Sequence, residues 1–154
     1  MKKINMSSSS LLLWGQANPE AFENSYNGVY LNKQDMQDMV SQVNESKRKG
    51  EKIPVHIEHT GSSIGNVVSA WVENNTLQCI LEIDNKTLES SMGQQMVKDG
   101  LIKELSLGYL LDIKHTKNKF ESQKKFLQEI SIVKKGAREK CKILGVANNP
   151  IKKK

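Results

Sequence analysis

The sequence predicts an α+β protein, built as a small, mostly antiparallel β-barrel or sheet of six to seven strands with two or more helices around it. Most of the chain consists of short apolar or alternating runs separated by turn-forming residues, which is typical of strands. Two other segments repeat apolar residues at helical spacing. No βαβ repetition is visible, and "GSSIG" (61–65) lacks the lysine and the following helix of a phosphate-binding loop.

Six runs are predicted to be strands. They span residues 11–17, 53–59, 63–73, 76–84, 102–116 and 125–135. "ENN" (73–75) is typical of a hairpin turn, because asparagine tolerates the left-handed backbone conformation. The polar segment between the last two strands is predicted to be a mobile hairpin tip.

The strongest helix signal covers residues 32–50. Its apolar stripe has helical spacing and consists of Met36, Met39, Val40 and Val43. Asn32 suits the N-cap, and Gly50 suits the position that follows the C-cap. The methionines are therefore predicted to be core residues.

A second amphipathic helix is predicted at residues 86–98. Leu88, Met92 and Met96 fall on one side of it. "DG" (99–100) is expected to end the helix.

Composition narrows the class of protein. The formal net charge of +6 comes from lysines spread along the chain, which is typical of solvated faces and loop tips. Aromatic residues make up 5% and do not interleave with the basic runs, so a nucleic-acid partner is disfavoured.

Two cysteines form neither a disulfide framework nor a zinc pattern, so we expect free thiols in an intracellular protein. Every apolar run is too short to span a membrane, and we expect a soluble protein with no membrane partner.

Three polar residues stand in apolar surroundings. His59 continues the apolar side of the run 53–59, whereas Ser106 and Glu129 fall on the faces opposite their apolar neighbours. The alternation allows the three to converge, but each also has a plain structural interpretation: a satisfied histidine, a tolerated serine and an exposed edge carboxylate. A metal site is disfavoured, because His56 and His59 point to opposite faces and no carboxylate cluster accompanies them.

Three blocks, taken in order, carry a family resemblance. "PVHIEHTGSSIGNVVSAWVE" (54–73), "ELSLGY" (104–109) and "EISIVKKGAR" (129–138) resemble the herpesvirus capsid maturation proteases, or assemblins, and the related tailed-phage prohead proteases. In that family a histidine at a strand end precedes a serine in a Leu-Ser-Leu segment. A third member of the site follows, and two positions of a loop rich in glycine and arginine lie eight and nine residues after it.

The resemblance implies the roles of the site residues. Ser106 would be the nucleophile, His59 the general base and Glu129 the third member of the triad. The oxyanion loop would comprise Gly136, Ala137 and Arg138. Glu129 replaces the second histidine of assemblins, and Ala137 replaces the first arginine of the herpesvirus loop. The replacement of this arginine by Ala137 is tolerable if residue 137 contributes only its backbone N–H.

The same resemblance implies a function. It is that of a capsid or prohead maturation serine endopeptidase, with no cofactor and no metal, acting on an internal scaffold or capsid protein and on its own precursor. We expect it inside the assembling capsid, in the cytoplasm or nucleus of the host cell. A homodimer stays open, because assemblins continue into dimerisation helices whereas this chain ends 16 residues past Arg138.

The predicted organisation has three parts: a flexible lead (1–10), an assemblin-like serine protease domain (11–146) and a basic tail (147–154). The alternative function is a non-catalytic capsid scaffold protein or a basic nucleic-acid-binding β domain. A retained fold does not by itself imply a retained activity.

Overall fold

The computed structural model describes residues 10–19, 25–26, 29–116, 119–138 and 140–146, with side chains omitted at 25–26, 29–30 and 112–123. The lead and the tail predicted at the two ends lie almost wholly outside these residues.

Seven strands within the described ranges close into one barrel: β1 (Leu11–Asn18), β4 (Pro54–Ile57), β5 (Ser63–Glu73), β6 (Thr76–Ile83), β7 (Glu104–Thr116), β8 (Lys119–Val133) and β9 (Lys142–Val146). Their order around the barrel is β1-β6-β5-β4-β8-β7-β9. Two short strands, β2 (Ser25–Tyr26) and β3 (Val29–Tyr30), form a separate sheet, and the helices are α1 (Lys33–Arg48) and α2 (Leu88–Lys98). Neighbouring barrel strands are antiparallel except for β4 and β8, which are parallel. The predicted small α+β barrel is confirmed.

The strand predictions missed two features of the barrel. β9 was not predicted, although it pairs with β1 and so closes the sheet. β8 begins at Lys119, so most of the polar segment predicted to be a hairpin tip belongs to a strand paired with β7. A strand that consists mostly of polar residues is not found by a search for apolar runs.

The α1 prediction is confirmed at both ends. The Asn32 side chain accepts a hydrogen bond from Asp35 N (2.8 Å), and Asp35 Oδ2 accepts one from Asn32 N (2.9 Å), which forms a capping box. Gly50 has φ +78°, as expected after a C-cap. The hairpin turn between β5 and β6 likewise has Asn74 and Asn75 at positive φ.

The apolar side of the helix predicted at 86–98 is mostly exposed in α2. Leu88 is 74% exposed and Met92 52% exposed, and only Met96 packs against the core. The buried side instead presents small and polar residues. A Cβ added at Gly93 would lie 3.1 Å from Ile64 Cδ1, and Gln94 Nε2 donates to the carbonyl oxygen of Ile83 (2.8 Å). The absence of a side chain at Gly93 lets the helix lie close to the barrel at that point. No helix within the described ranges is long and apolar enough to cross a bilayer.

Both cysteine thiols are buried and free. Burial is the main cause that raises the pKa of Cys79 and of Cys141 from near 9 to about 12. Unfolded thiols lose their protons near pH 9, so between pH 9 and 12 the folded state binds more protons than the unfolded state.

We therefore expect the unfolding free energy to be unaffected by these thiols below pH 9 and to fall as the pH rises above it. The slope should approach about 1.4 kcal/mol per pH unit for each thiol. Urea unfolding of the wild type and of Cys79→Ala/Cys141→Ala at pH 8.5, 9.5 and 10.5 checks this. Equal pH slopes for the two proteins would contradict it.

Candidate active site

His59 lies in a tight turn after β4, not within a strand as predicted. β4 ends at Ile57, and Thr60 N donates to Ile57 O across the turn (3.0 Å). Glu58 and His59 have φ of 53° and 56°, the left-handed pair that a type I′ turn requires. The apolar alternation that placed His59 on a strand face therefore does not apply to it.

Strand β8 holds this turn in place. Glu58 N donates to Ile132 O (3.0 Å), and Glu58 Oε2 accepts from Lys134 N (3.0 Å). His59 N donates to Ser131 Oγ (3.1 Å). Left-handed backbone costs about 1–3 kcal/mol for each residue other than glycine, so the turn persists because these bonds offset that cost.

The three residues predicted to converge do so. His59 Nε2 lies 2.9 Å from Ser106 Oγ, and His59 Nδ1 lies 2.7 Å from Glu129 Oε2. Glu129 is a carboxylate that can only accept, so Nδ1 carries the proton and Nε2 is left to accept the Ser106 hydroxyl proton. Ser106 is buried, whereas the His59 side chain is 42% exposed. The arrangement matches a nucleophile, a base and an orienting acid.

The pairing of β7 with β8 explains the convergence. The two strands are antiparallel neighbours, with Ser106 opposite Ser131 and Gly108 opposite Glu129. The side chains of Ser106 and Glu129 therefore lie two positions apart on one face of the sheet. The turn at His59 reaches this face because β4 pairs with the other edge of β8.

Two neighbours of Glu129 were not assigned any role from the sequence. Ser131 Oγ lies 2.7 Å from Glu129 Oε1, and a Cβ added at Gly108 would lie 2.6 Å from Glu129 Cδ and closer still to Oε2. The only signal in the sequence is their spacing, since each lies two residues from a predicted site residue, Glu129 or Ser106, and so shares its strand face.

The loop after β8 lies against the start of β7. Gly136 N donates to Glu104 Oε1 (2.6 Å), and a Cβ at Gly136 would lie 2.6 Å from Leu105 O. Only glycine permits this approach to the strand that carries Ser106. Arg138 is buried, and its Nη2 donates to the Tyr109 hydroxyl (2.8 Å) while the guanidinium lies 5.6 Å from the ring centroid.

A cleft of about 610 Å³ opens over these residues. Its lining includes His59, Ser106, Ala137 and Arg138. The remaining walls are partly apolar and partly charged, from Leu107, Gly108, Tyr109, Leu111 and Val133 and from Glu58 and Lys135. Among the residues that the structure describes, no three His, Cys, Asp or Glu side chains form a group that could hold a metal ion.

Comparison with known proteins supplies a fold. No family model and no curated protein matches the sequence. One similar solved structure is KSHV protease in complex with a hexapeptide phosphonate inhibitor, with a TM-score of 0.55 and 13% sequence identity. The fold is assemblin-like. The match covers 86% of this chain but 64% of that protein, so the chain spans less than two thirds of its length. The likeness to the herpesvirus protease is therefore one of fold.

Proposed function

We propose that this chain is a capsid or prohead maturation serine endopeptidase that works through an acyl-enzyme. The observation that carries the proposal is the continuous chain of hydrogen bonds from Ser106 through His59 to Glu129, at 2.9 and 2.7 Å. Its location in a cleft of a fold shared with a herpesvirus protease supports the same class of activity. No cofactor is needed for this chemistry.

The reaction begins with the Ser106 hydroxyl. As Oγ attacks the carbonyl carbon of the scissile peptide, His59 Nε2 takes its proton. The imidazolium gives that proton to the leaving amine when the C–N bond breaks, which leaves an ester on Ser106. Water then attacks the ester, with His59 again as base and then as acid. Throughout, Glu129 holds Nδ1–H and stabilises the positive charge on the ring.

The oxyanion is assigned to two positions of the loop. Ala137 and Arg138 line the same cleft as Ser106, so the backbone N–H of Ala137 and a donor from Arg138 are the groups assigned to the oxyanion. Gly136 N–H is already engaged by Glu104, so Gly136 contributes the close approach of the loop and does not donate to the oxyanion. One such donor is typically worth about 3 kcal/mol of transition-state stabilisation.

The proposed substrates are an internal scaffold or capsid protein and the enzyme's own precursor, cleaved inside the assembling capsid of the host cell. The proposal leaves a homodimer open. A non-catalytic scaffold protein or a basic nucleic-acid-binding domain remains the alternative, and the experiment below separates it from the enzyme.

Intact-mass measurement after reaction with a fluorophosphonate serine probe tests the activity. We expect a single adduct on the wild type and none on Ser106→Ala, because the Ser106 hydroxyl lies 2.9 Å from a histidine nitrogen that can take its proton. Ser91→Ala, which removes an exposed hydroxyl on α2, is the matched control and should react like the wild type. The measurement is repeated in kosmotropic salt, which favours any homodimer. Absence of an adduct on the folded wild type under both conditions would favour the non-catalytic alternative.

A further inference from the structure

Two residues on neighbouring strands contact the Glu129 side chain. Ser131 lies beside it on β8, and Gly108 lies opposite it on β7. We propose that Ser131 and Gly108 are positioning residues that hold the Glu129 carboxylate against His59. This inference rests on the proposed function, since it concerns the orienting acid of the same site.

Ser131 connects the carboxylate to the turn. Its hydroxyl has one proton, and the shortest contact, 2.7 Å to Glu129 Oε1, takes it. The same oxygen accepts the backbone N–H of His59 (3.1 Å) and lies 3.2 Å from His59 Nδ1. Each Glu129 oxygen thus receives one donor, Oε1 from Ser131 and Oε2 from His59. A single buried hydroxyl therefore fixes both the acid and the left-handed backbone that presents the base.

Gly108 provides the space that the carboxylate fills. A Cβ there would lie 2.6 Å from Glu129 Cδ and 3.1 Å from Cγ, and both distances are below van der Waals contact. The backbone of Gly108 is not at positive φ, so alanine would be strained only by this overlap. A side chain at this position would displace the Glu129 carboxylate from its position beside His59.

The two residues act in complementary ways. Glutamate has three rotatable side-chain bonds, and ordering it against His59 costs conformational entropy that a single bond to Nδ1 offsets poorly. Gly108 removes the obstacle on one side, while Ser131 adds a second bond on the other. A shift of about 1 Å in an orienting group can cost about 10²-fold in rate, so we expect Ser131 and Gly108 to have a large effect on catalysis.

The test compares Gly108→Ala and Ser131→Ala in two backgrounds, wild type and Glu129→Ala. The readout is the second-order rate of Ser106 modification by the fluorophosphonate probe. We expect each substitution to slow modification about 10- to 100-fold when Glu129 is present. When Glu129 is absent, Gly108→Ala should change the rate by less than about 2-fold, because the carboxylate that it accommodates is gone. Ser131→Ala should then cost less than when Glu129 is present, because only its bond to the His59 N–H is lost. Ser131→Thr keeps the hydroxyl and should recover most of the rate.

Matched controls separate positioning from general damage. Gly145→Ala adds a Cβ to a strand glycine with nothing within 4 Å, and Ser90→Ala removes another buried hydroxyl, on α2. Both should react like the wild type. Equal losses in the two Glu129 backgrounds, or losses as large in the controls, would overturn the inference while leaving the serine activity intact.

The contact between Gly108 and Glu129 can also be tested without an activity assay. If the wild type takes no probe, the proposed function fails, but urea unfolding still tests the geometry. Gly108→Ala should then shift the midpoint less favourably when Glu129 is present than when residue 129 is alanine, because only the glutamate overlaps the added Cβ. Equal shifts in the two backgrounds would overturn the inference on its own.

Discussion

His59→Asn is expected to slow the modification of Ser106 by at least about 10⁴-fold while leaving the barrel folded. The substitution removes the base that lies 2.9 Å from Ser106 Oγ, and without that base the serine hydroxyl is a weak nucleophile. Asparagine tolerates the left-handed conformation that His59 adopts (φ 56°), so the turn after β4 should keep its shape. Labelling rates with a fluorophosphonate probe, together with the urea midpoint of each protein, check the result.

The companion variant is Glu129→Gln, which we expect to slow labelling by about 10²- to 10⁴-fold, because an amide cannot hold Nδ1–H with a negative charge. The double variant with His59→Asn should be no slower than His59→Asn alone, since the two residues act as a unit. Glu58→Gln is the matched control, because Glu58 does not bond to the His59 ring and glutamine keeps an oxygen that can accept from Lys134 N, which preserves the turn. Additive losses, or a control as slow as Glu129→Gln, would rule out Glu129 as the orienting acid.

Lys125→Met is expected to destabilise the protein by about 3–5 kcal/mol. Lys125 Nζ lies 3.0 Å from Asp35 Oδ2, and both side chains are 8% exposed. The pair joins β8 to the first turn of α1, where Asp35 also caps the helix. Methionine fills similar space but leaves the Asp35 carboxylate buried without its cation, and an uncompensated buried charge is costly.

Urea unfolding of three variants separates the charge from the packing. Lys125→Met with Asp35→Asn removes both charges and should recover most of the lost unfolding free energy, because replacing a whole buried pair is often nearly neutral. Lys52→Ala, at an exposed lysine, should change the unfolding free energy by less than about 0.5 kcal/mol. A Lys125→Met protein as stable as the wild type would show that the buried pair contributes little.

Local signals were enough for most elements of the fold. The Asn32 cap, the glycine after α1 and the Asn74-Asn75 turn are decided by the conformations that these residues favour, and all three are as predicted. The face of α2 was not predictable in this way. Leu88 and Met92 have core spacing, yet the close approach of Gly93 to the barrel leaves them exposed.

The amino-acid pattern alone is sufficient to predict the class of fold and the strand faces of Ser106 and Glu129, and it places His59, Ser106 and Glu129 in that order along the chain. Alternation can place a residue on a face, because side chains in a strand point to opposite sides in turn. It cannot say which residues of two strands lie opposite each other, because pairing register depends on turns, bulges and packing.

The geometry of the site depends on long-range contacts. The pairing of β7 with β8 places Gly108 opposite Glu129, and the parallel pairing of β4 with β8 brings the turn at His59 over the same face. Ser131 then holds the turn and the carboxylate together. The physical reason is that each of these contacts joins residues distant in the chain, so no local pattern encodes their distance.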